Sequence, residues 1–282
     1  MRSITFGLSV VATIALGTFS PLSSARADVS EWQGDTRAAI RMVSGGTTVD
    51  NARSVLRAGI QIRLAPGWKT YWRYPGDSGI PPHFDFAKSE NVKSVRVAWP
   101  APERMADADG VIIGYRNTVL FPLAVEPKDA GKPVTLRLAL DYAICEKVCI
   151  PVHGKAELTI KAGGAAKPEI AAAEKSVPRP VALGADAAFA VKAVHRDDAA
   201  KPQRVLLDIA APAGSPVAVF AEGPSADWAL PVPEKIAGAP TGLQRFVFAL
   251  DGLPPGASDK GATIRVTAVA GDDAIETTFR LD

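Results

Sequence analysis

The chain contains two cysteines, Cys145 and Cys149, which lie four positions apart. A disulfide between residues this close closes a very short loop, so the chain-entropy model gives it little stabilising value. Two cysteines are also too few for a disulfide-scaffolded protein. The pair is therefore better explained by its chemistry, which for two neighbouring sulfurs is reversible thiol–disulfide exchange.

The segment that carries the two sulfurs must bend. Bonded cysteines have Cα atoms about 4.4–6.8 Å apart, whereas four steps along an extended strand span about 13 Å. One helical turn or a tight corner between two strands meets this requirement. Pro151 has no amide hydrogen and is expected to discourage strand pairing just beyond Cys149. The spacing predicts a short, reducible disulfide on a turn at a sheet edge.

The neighbouring charges do not decide which sulfur attacks. Lys147 favours a thiolate, while Asp141 and Glu146 oppose one. Because the preceding turn is expected to lie outermost, Cys145 is weakly favoured as the more accessible sulfur.

Metal binding is an alternative function for the same residues. Cys145, Cys149 and His153 are spaced by four, and a continuous helix would place them on one face as ligands for Cu(I) or Zn(II). Pro151 argues against that helix because its ring clashes with the preceding turn.

A passive structural disulfide is a further alternative. In that case the chain would be an adhesion or chaperone-like binding module, since a β-sandwich has no redox chemistry of its own.

The first 27 residues have the pattern of an export signal. Arg2 supplies a positive start, residues 6–19 are almost free of charge, and Ala25 and Ala27 form a small-x-small cleavage site. The pattern predicts a signal peptide over residues 1–27. No later run approaches about 18 apolar residues, so no stable membrane insertion is expected.

The charge balance excludes nucleic acid as a partner. The sequence has 32 Lys and Arg against 30 Asp and Glu. Because Arg2 and Arg26 fall within the predicted signal peptide, the chain that remains after cleavage is near neutral. Binding to phosphates needs clustered basic residues, and no such cluster is present. Spacing also gives no Ser-His-Asp or paired-carboxylate arrangement, so hydrolysis is not supported.

The elements that hold the cysteine pair are predicted to be strands. Short alternating apolar segments bounded by Pro, Gly and Asp predict strands with one buried face. These segments are residues 54–64, 92–99, 118–125, 134–140, 154–161, 189–194, 204–209, 217–220, 243–250, 262–269 and 274–281. The pattern predicts an all-β chain with two β-sandwich domains, 28–161 and 181–282, joined by a linker rich in Pro, Ala and Gly at 162–180.

Four segments resemble a known family. Residues 67–79, 99–104, 114–122 and 141–151 are similar, in order and spacing, to the periplasmic N-terminal domain of the DsbD/ScsB thiol:disulfide interchange proteins, and most so to the ScsB-like branch. The resemblance covers residues 50–160. It implies immunoglobulin-like sandwiches and a periplasmic location, and residues 180–282 fit loosely as a second such domain.

The resemblance implies an electron shuttle. Cys145 and Cys149 would carry electrons between a membrane-embedded thiol reductase and periplasmic thioredoxin-like proteins, such as disulfide isomerases or cytochrome c maturation thioredoxins. The chain would be one component of a protein-disulfide reductase and would need no metal, nucleotide or organic cofactor. It has no transmembrane segments and no C-x-x-C thioredoxin-like domain, so another polypeptide is expected to supply the electrons.

The resemblance also implies an environment for the pair. Aromatic residues of the family map onto Tyr71 and Tyr115, with Trp72 and Tyr142 expected nearby.

The chain departs from the best-known members in two respects. Its C-x3-C spacing is tighter than their C-x5-C, and its covering loop, residues 105–110, lacks their aromatic cap residue. Met105, Val111 or Ile112 is expected to shield the sulfurs instead, and Asp107 or Asp109 is expected to be the nearby acid.

Overall fold

The structure is a computed structural model of the 282-residue chain. It describes residues 28–50, 53–77, 79–107, 110–161, 163 and 167–282. The predicted signal peptide lies outside the described residues. Among the residues with described structure, no helix has the length and apolarity that crossing a membrane requires.

The described residues form nineteen strands and one helix. In chain order these are β1 (Gln33–Gly34), β2 (Ala38–Asp50), β3 (Arg53–Leu64), β4 (Lys69–Gly76), β5 (His83–Asp85), β6 (Val92–Val97), β7 (Glu103–Asp107), β8 (Gly110–Arg116), β9 (Thr118–Pro127), β10 (Val134–Cys145), β11 (Cys149–Ile160), α1 (Pro168–Lys175), β12 (Arg179–Pro180), β13 (Ala190–Asp197), β14 (Arg204–Ala210), β15 (Val217–Glu222), β16 (Glu234–Ile236), β17 (Gln244–Ala249), β18 (Thr263–Ala270) and β19 (Asp273–Arg280).

Strands β1–β11 build the first sandwich. One sheet has the order β1-β2-β3-β9-β6, and the other has the order β11-β10-β4-β8-β7 with β5 also paired to β10. Alternate residues of both sheets point inward and form one core, which includes Ile60, Phe121 and Leu136. The cysteine hairpin therefore belongs to a sheet whose inner face is fully packed.

Strands β12–β19 build the second sandwich, from a sheet in the order β12-β19-β18-β15 and a sheet in the order β13-β14-β17-β16. Its core is separate and includes Val205, Phe248 and Ile264. Each predicted strand segment overlaps an observed strand. The predicted all-β class and the two immunoglobulin-like sandwiches are confirmed.

Helix α1 lies within the segment predicted as a linker and packs on the first sandwich. Its Ile170 is fully buried, and a Cβ added at Gly59 of β3 would lie 2.7 Å from Cδ1 of Ile170. The glycine thus leaves room for the helix. Arg57 of β3 forms an ion pair with Glu174 of the helix. The segment is consequently attached to the first sandwich by both apolar and charged contacts.

The two sandwiches touch through strands β4 and β15. The ring of Trp72 in β4 lies 5.7 Å, centroid to centroid, from the ring of Phe220 in β15. Both side chains are fully buried. The core of the first sandwich therefore extends to the surface of the second.

Candidate functional site

The two cysteines lie at the end of a β-hairpin. Strands β10 and β11 pair without interruption from Val134 opposite Ile160 to Cys145 opposite Cys149. Residues 146–148 connect the strands. The two cysteine Cα atoms are 4.1 Å apart and a disulfide joins the sulfurs. Of the two predicted geometries, the chain thus adopts the corner between strands rather than the helical turn.

Pro151 does not interrupt the pairing, contrary to the sequence expectation. It lies in β11 opposite Ala143. In an antiparallel ladder, facing residue pairs alternate between hydrogen-bonded pairs and non-hydrogen-bonded pairs, and the latter have the shorter Cα spacing. The short Cα spacing of Cys145 and Cys149 is typical of a non-hydrogen-bonded pair, so the pair of Ala143 and Pro151 is of the same kind. Pro151, two positions further on, therefore directs its missing amide hydrogen away from β10. Since β11 is at the sheet edge, no ladder bond is lost.

The two cysteines differ in exposure. Cys145 is buried with 6% of its surface exposed, because it ends β10, which has strands on both sides. Cys149 begins the edge strand β11 and is exposed. The weak preference for Cys145 as the more accessible sulfur is therefore wrong. The sequence could not reveal this, since it does not show which strand forms the edge.

Tyr71 contacts the exposed sulfur. Its hydroxyl oxygen lies 3.0 Å from Sγ of Cys149, and because a disulfide sulfur has no hydrogen, the hydroxyl is the donor. The side chain is fully buried. Gly79 packs against its ring, where an added Cβ would lie 2.3 Å from Cε1 of Tyr71. The loop after β4 thus holds the tyrosine ring towards the disulfide.

A small apolar cluster surrounds the buried sulfur. It consists of Tyr71, Met105, Ile112, Ala143 and Cys145. Met105 and Ile112 come from the hairpin formed by β7 and β8, which corresponds to the predicted covering loop. Two of the three residues expected to shield the sulfurs therefore belong to this cluster.

Val111, the third of these residues, packs against the main core instead. Its backbone amide donates to a carboxylate oxygen of Asp77 at 2.7 Å, and its carbonyl accepts from the backbone amide of Asp77 at 3.0 Å. Asp77 thus fixes the tip of the covering hairpin. No pattern in the sequence pointed to this role of Asp77.

The other predicted aromatic residues do not reach the sulfurs. Trp72, Tyr115 and Tyr142 belong to the main core, because side chains alternate along a strand and these three point to the opposite face from Tyr71 and Cys145. The hydroxyl of Tyr115 donates to the carbonyl of Pro100 at 2.8 Å. Burial raises the pKa of Tyr142 to about 12. Their placement in the active-site environment is therefore corrected.

The two predicted acids are not located by the structure. Asp109 lies outside the described residues, and Asp107 ends β7 opposite Gly110 with only its backbone described.

The three candidate metal ligands do not converge. His153 lies on β11, and four steps along a strand separate it from Cys149 by about 13 Å. Its Nδ1 is 2.5 Å from a carboxylate oxygen of Asp141. Among the described residues, no group of three His, Cys, Asp or Glu side chains is placed to hold a metal ion. The helix on which the metal alternative depended is not formed.

Comparison with known proteins gives a family match for part of the chain and a similar fold for most of it. The sequence matches the family described as "Thiol:disulfide interchange protein DsbD, N-terminal" over residues 46–161. Comparison with curated proteins gave no match.

Among solved structures, the chain is similar to the crystal structure of the N-terminal periplasmic domain of ScsB from Proteus mirabilis, with 19% sequence identity and a TM-score of 0.67. The match covers 89% of this chain and 97% of that one, and at this identity it shows a shared fold. The family match includes the cysteine hairpin, Tyr71 and the covering hairpin. Residues 46–161, which hold the cysteine pair, therefore match the DsbD N-terminal domain family of thiol:disulfide interchange proteins.

Proposed function

We propose that this chain is a periplasmic electron carrier that exchanges its Cys145–Cys149 disulfide with the thiols of other proteins. The observation that carries the proposal is a disulfide in which one cysteine, Cys149, is exposed and has the hydroxyl of Tyr71 3.0 Å from its Sγ. The electron donor would be a membrane-embedded thiol reductase, and the acceptors would be thioredoxin-like proteins. The match of residues 46–161 to the DsbD N-terminal family supports the exchange chemistry.

Electrons enter through the exposed sulfur. A thiolate of the reduced donor attacks Sγ of Cys149, the bond between the two sulfurs breaks, and its electron pair remains on Sγ of Cys145. A mixed disulfide then joins the donor to Cys149. The donor's second thiolate attacks the donor sulfur of this bond and releases Cys149 as a thiolate. Two electrons have passed, the donor is oxidised to a disulfide, and solvent protons complete the dithiol.

Electrons leave by the same chemistry in reverse. The thiolate of Cys149 attacks the disulfide of an acceptor, and the acceptor's second sulfur leaves with the electron pair. Cys145 then attacks Cys149 in the mixed disulfide, which restores the disulfide of this chain and releases the reduced acceptor. Cys145 is suited to this resolving role because it is buried and lies directly opposite Cys149.

Two exposed apolar side chains adjoin the site. Val148, next to Cys149, is 71% exposed, and Ile80, next to the glycine that packs on Tyr71, is 55% exposed. A partner sulfur must come within about 2 Å of Sγ of Cys149 to bond with it. A partner at that distance would cover Val148, so an apolar rim around the partner's thiol fits this surface.

Trapping of mixed disulfides tests the proposal. The full chain with Cys145→Ser, expressed in a bacterium with a periplasm, retains the exposed thiol and lacks the resolving one. It should accumulate covalent adducts with a membrane-bound reductase and with thioredoxin-like proteins. Cys149→Ser is the matched control and should trap far less, since its remaining thiol is buried. Equal recovery from both variants, or no adduct from Cys145→Ser, would contradict the proposal.

Titration against glutathione separates this function from a passive disulfide. A structural disulfide resists reduction and has a potential below about −300 mV, whereas a shuttle has a higher potential. We expect the pair to be reduced within the range that glutathione buffers cover. A pair that stays oxidised throughout this range would favour a passive role.

A further inference from the structure

Strand β4 carries both the tyrosine of the redox site and the contacts to the second sandwich. Thr70 donates its hydroxyl to the carbonyl of Ala143 on β10 at 2.8 Å, and Tyr71 reaches Cys149. The next residue, Trp72, packs on Phe220 of the second sandwich. The site and the second sandwich are thus separated by a single peptide unit.

The pairing of β4 shifts at this point. Tyr71 lies opposite Gly114 of β8, but the next pair is Gly76 opposite Ile112. Strand β4 therefore has three extra residues between these pairs. Such a bulge bends the strand and redirects its side chains. Here it presents residues 72–74 to the second sandwich, immediately after the residue that contacts the sulfur.

Charged contacts hold the bulge against the second sandwich. The guanidinium of Arg73 bonds a carboxylate oxygen of Glu222 on β15 at 2.8 Å and one of Glu276 on β19 at 2.5 Å. The side chains of Glu222 and Glu276 are only 13% and 26% exposed. The arginine also lies over the ring of Trp72 at 4.3 Å. Arginine bonded to two shielded carboxylates has a defined geometry, unlike a mobile surface ion pair.

A further hydrogen bond ties the bulge to the same partner. The hydroxyl of Tyr74 donates to the carbonyl of Leu230 in the second sandwich. Burial and the nearby carboxylate of Asp77 raise the pKa of Tyr74 to about 12, so the hydroxyl remains a donor at physiological pH. Trp72, Arg73 and Tyr74 therefore all bind the second sandwich.

We propose that Arg73 is a positioning residue for thiol exchange: by fixing the bulge of β4 to Glu222 and Glu276, it holds the Tyr71 hydroxyl against Cys149. The second sandwich is then a working part of the redox site. This inference rests on the proposed function, since it concerns the reactivity of the same sulfur. Tyr71 stabilises the Cys149 thiolate of the reduced pair by donating to it, and Arg73 acts through Tyr71.

A double-mutant cycle in the full chain tests the coupling. The variants are Tyr71→Phe, Arg73→Met and the two combined. The measurement is the rate of Cys149 alkylation by iodoacetamide across pH in the reduced protein, read by mass spectrometry. Losing one hydrogen bond to the thiolate should raise the midpoint of the pH profile and lower the rate near neutral pH by about threefold to tenfold. Arg73→Met should reproduce part or all of this change, and adding it to Tyr71→Phe should change nothing further.

Control variants separate positioning from general destabilisation. Arg137 also bonds two carboxylates, Glu90 and Glu157, but on the first sandwich alone, so Arg137→Met should leave the pH profile unchanged. Arg73→Lys keeps the charge and should restore part of the wild-type profile. Should Arg73→Met not fold, the combined Glu222→Gln and Glu276→Gln variant carries the test, and a profile shifted in the same direction is expected.

The outcome distinguishes this inference from the proposed function. A wild-type pH profile in a folded Arg73→Met or combined glutamine variant would overturn the positioning role, as would effects that multiply in the double mutant. Neither result would affect the trapping of partners by Cys145→Ser. Conversely, failure to trap partners would remove the proposed function and leave the cycle as a valid measurement of how the second sandwich acts on Cys149.

Discussion

The hydroxyl of Tyr71 places a hydrogen-bond donor against the sulfur of Cys149, beside apolar side chains. A donor of this kind favours the thiolate over the thiol, because it stabilises the charged form. The buried Cys145 meets Met105 and Ile112 instead, and an apolar environment disfavours its thiolate. The two sulfurs are therefore unequal in charge stability as well as in exposure.

Replacing the tyrosine by phenylalanine measures its contribution. In the reduced protein, Tyr71→Phe removes the donor, so the pKa of the Cys149 thiol should rise and exchange with dithiothreitol near neutral pH should slow by about threefold to tenfold. Stopped-flow kinetics across pH give both quantities. Tyr142→Phe is the control, since Tyr142 lies in the main core. A Tyr71→Phe profile identical to that of the control would contradict the role of the hydroxyl.

Residue-level prediction from the sequence succeeded where the motif itself bends. The spacing of the cysteines required a bend, either a helical turn or a corner between strands, and the family resemblance pointed to Tyr71. It failed for Trp72, Tyr115 and Tyr142, which are near the site in sequence but face the core. The inward face of a strand is the face that packs against the other sheet, and a short motif does not show which face that is.

At the level of elements, the β10–β11 ladder holds the cysteines in place independently of their bond. It pairs twelve residues on each strand. The disulfide closes a loop of only four residues' separation, which constrains the unfolded chain little, so its removal should lower the free energy of unfolding by no more than about 2 kcal/mol. Urea unfolding of the oxidised and reduced wild-type protein checks this. Loss of the fold on reduction would instead indicate a structural disulfide.

The loop after β4 controls the tyrosine by steric contact. Gly79 has a φ of 142°, and an alanine there would place its Cβ against the ring of Tyr71. We expect Gly79→Ala to displace the ring and to slow exchange about as much as Tyr71→Phe. Exchange rates and unfolding curves should be measured together.

A second glycine provides the control for this substitution. Gly256 also has a positive φ, 78°, but an added Cβ there would have nothing within 4 Å. Gly256→Ala should therefore lower stability slightly and leave exchange unchanged. Equal effects of the two substitutions on exchange would show that backbone strain alone, and not the contact with Tyr71, is responsible.

Eleven of the nineteen strands in the described residues were predicted from the sequence. The other eight, among them the site strand β4, and the arrangement of all strands were not. Alternation placed strands correctly at 134–140 and 154–161, but β2 was missed because the small residues Ser44, Gly45 and Gly46 break its pattern. The sequence also extended neither β10 nor β11 to the cysteines, since Pro151 suggested an end. Only the edge position of β11 makes that proline compatible with the ladder.

At the level of the whole molecule, Phe220 links the stability of the two sandwiches. It projects from the second sandwich, yet it is fully buried against Trp72. Phe220→Ala should lower the free energy of unfolding by about 3–5 kcal/mol and should separate one calorimetric transition into two. Phe248→Ala, within the core of the second sandwich, should destabilise that sandwich without altering the environment of Trp72. Two transitions in the wild type would contradict this linkage.

The role of the second sandwich had no signal in the sequence. It lacks cysteine, and its strands showed only that it folds. Its contact with the site depends on a bulge in β4, and the pairing register that creates the bulge cannot be read from residues 69–76 alone.

Helix α1 and strand β12 leave only residues 176–178 between them, and the helix itself is attached to the first sandwich. Compared with a fixed connection, a flexible tether lowers the affinity of a ligand that spans two modules, because binding must immobilise the tether. A protein reaching both sandwiches at once would avoid most of this entropic penalty. Its affinity should therefore be insensitive to the composition of residues 176–178 and sensitive to insertions that lengthen them.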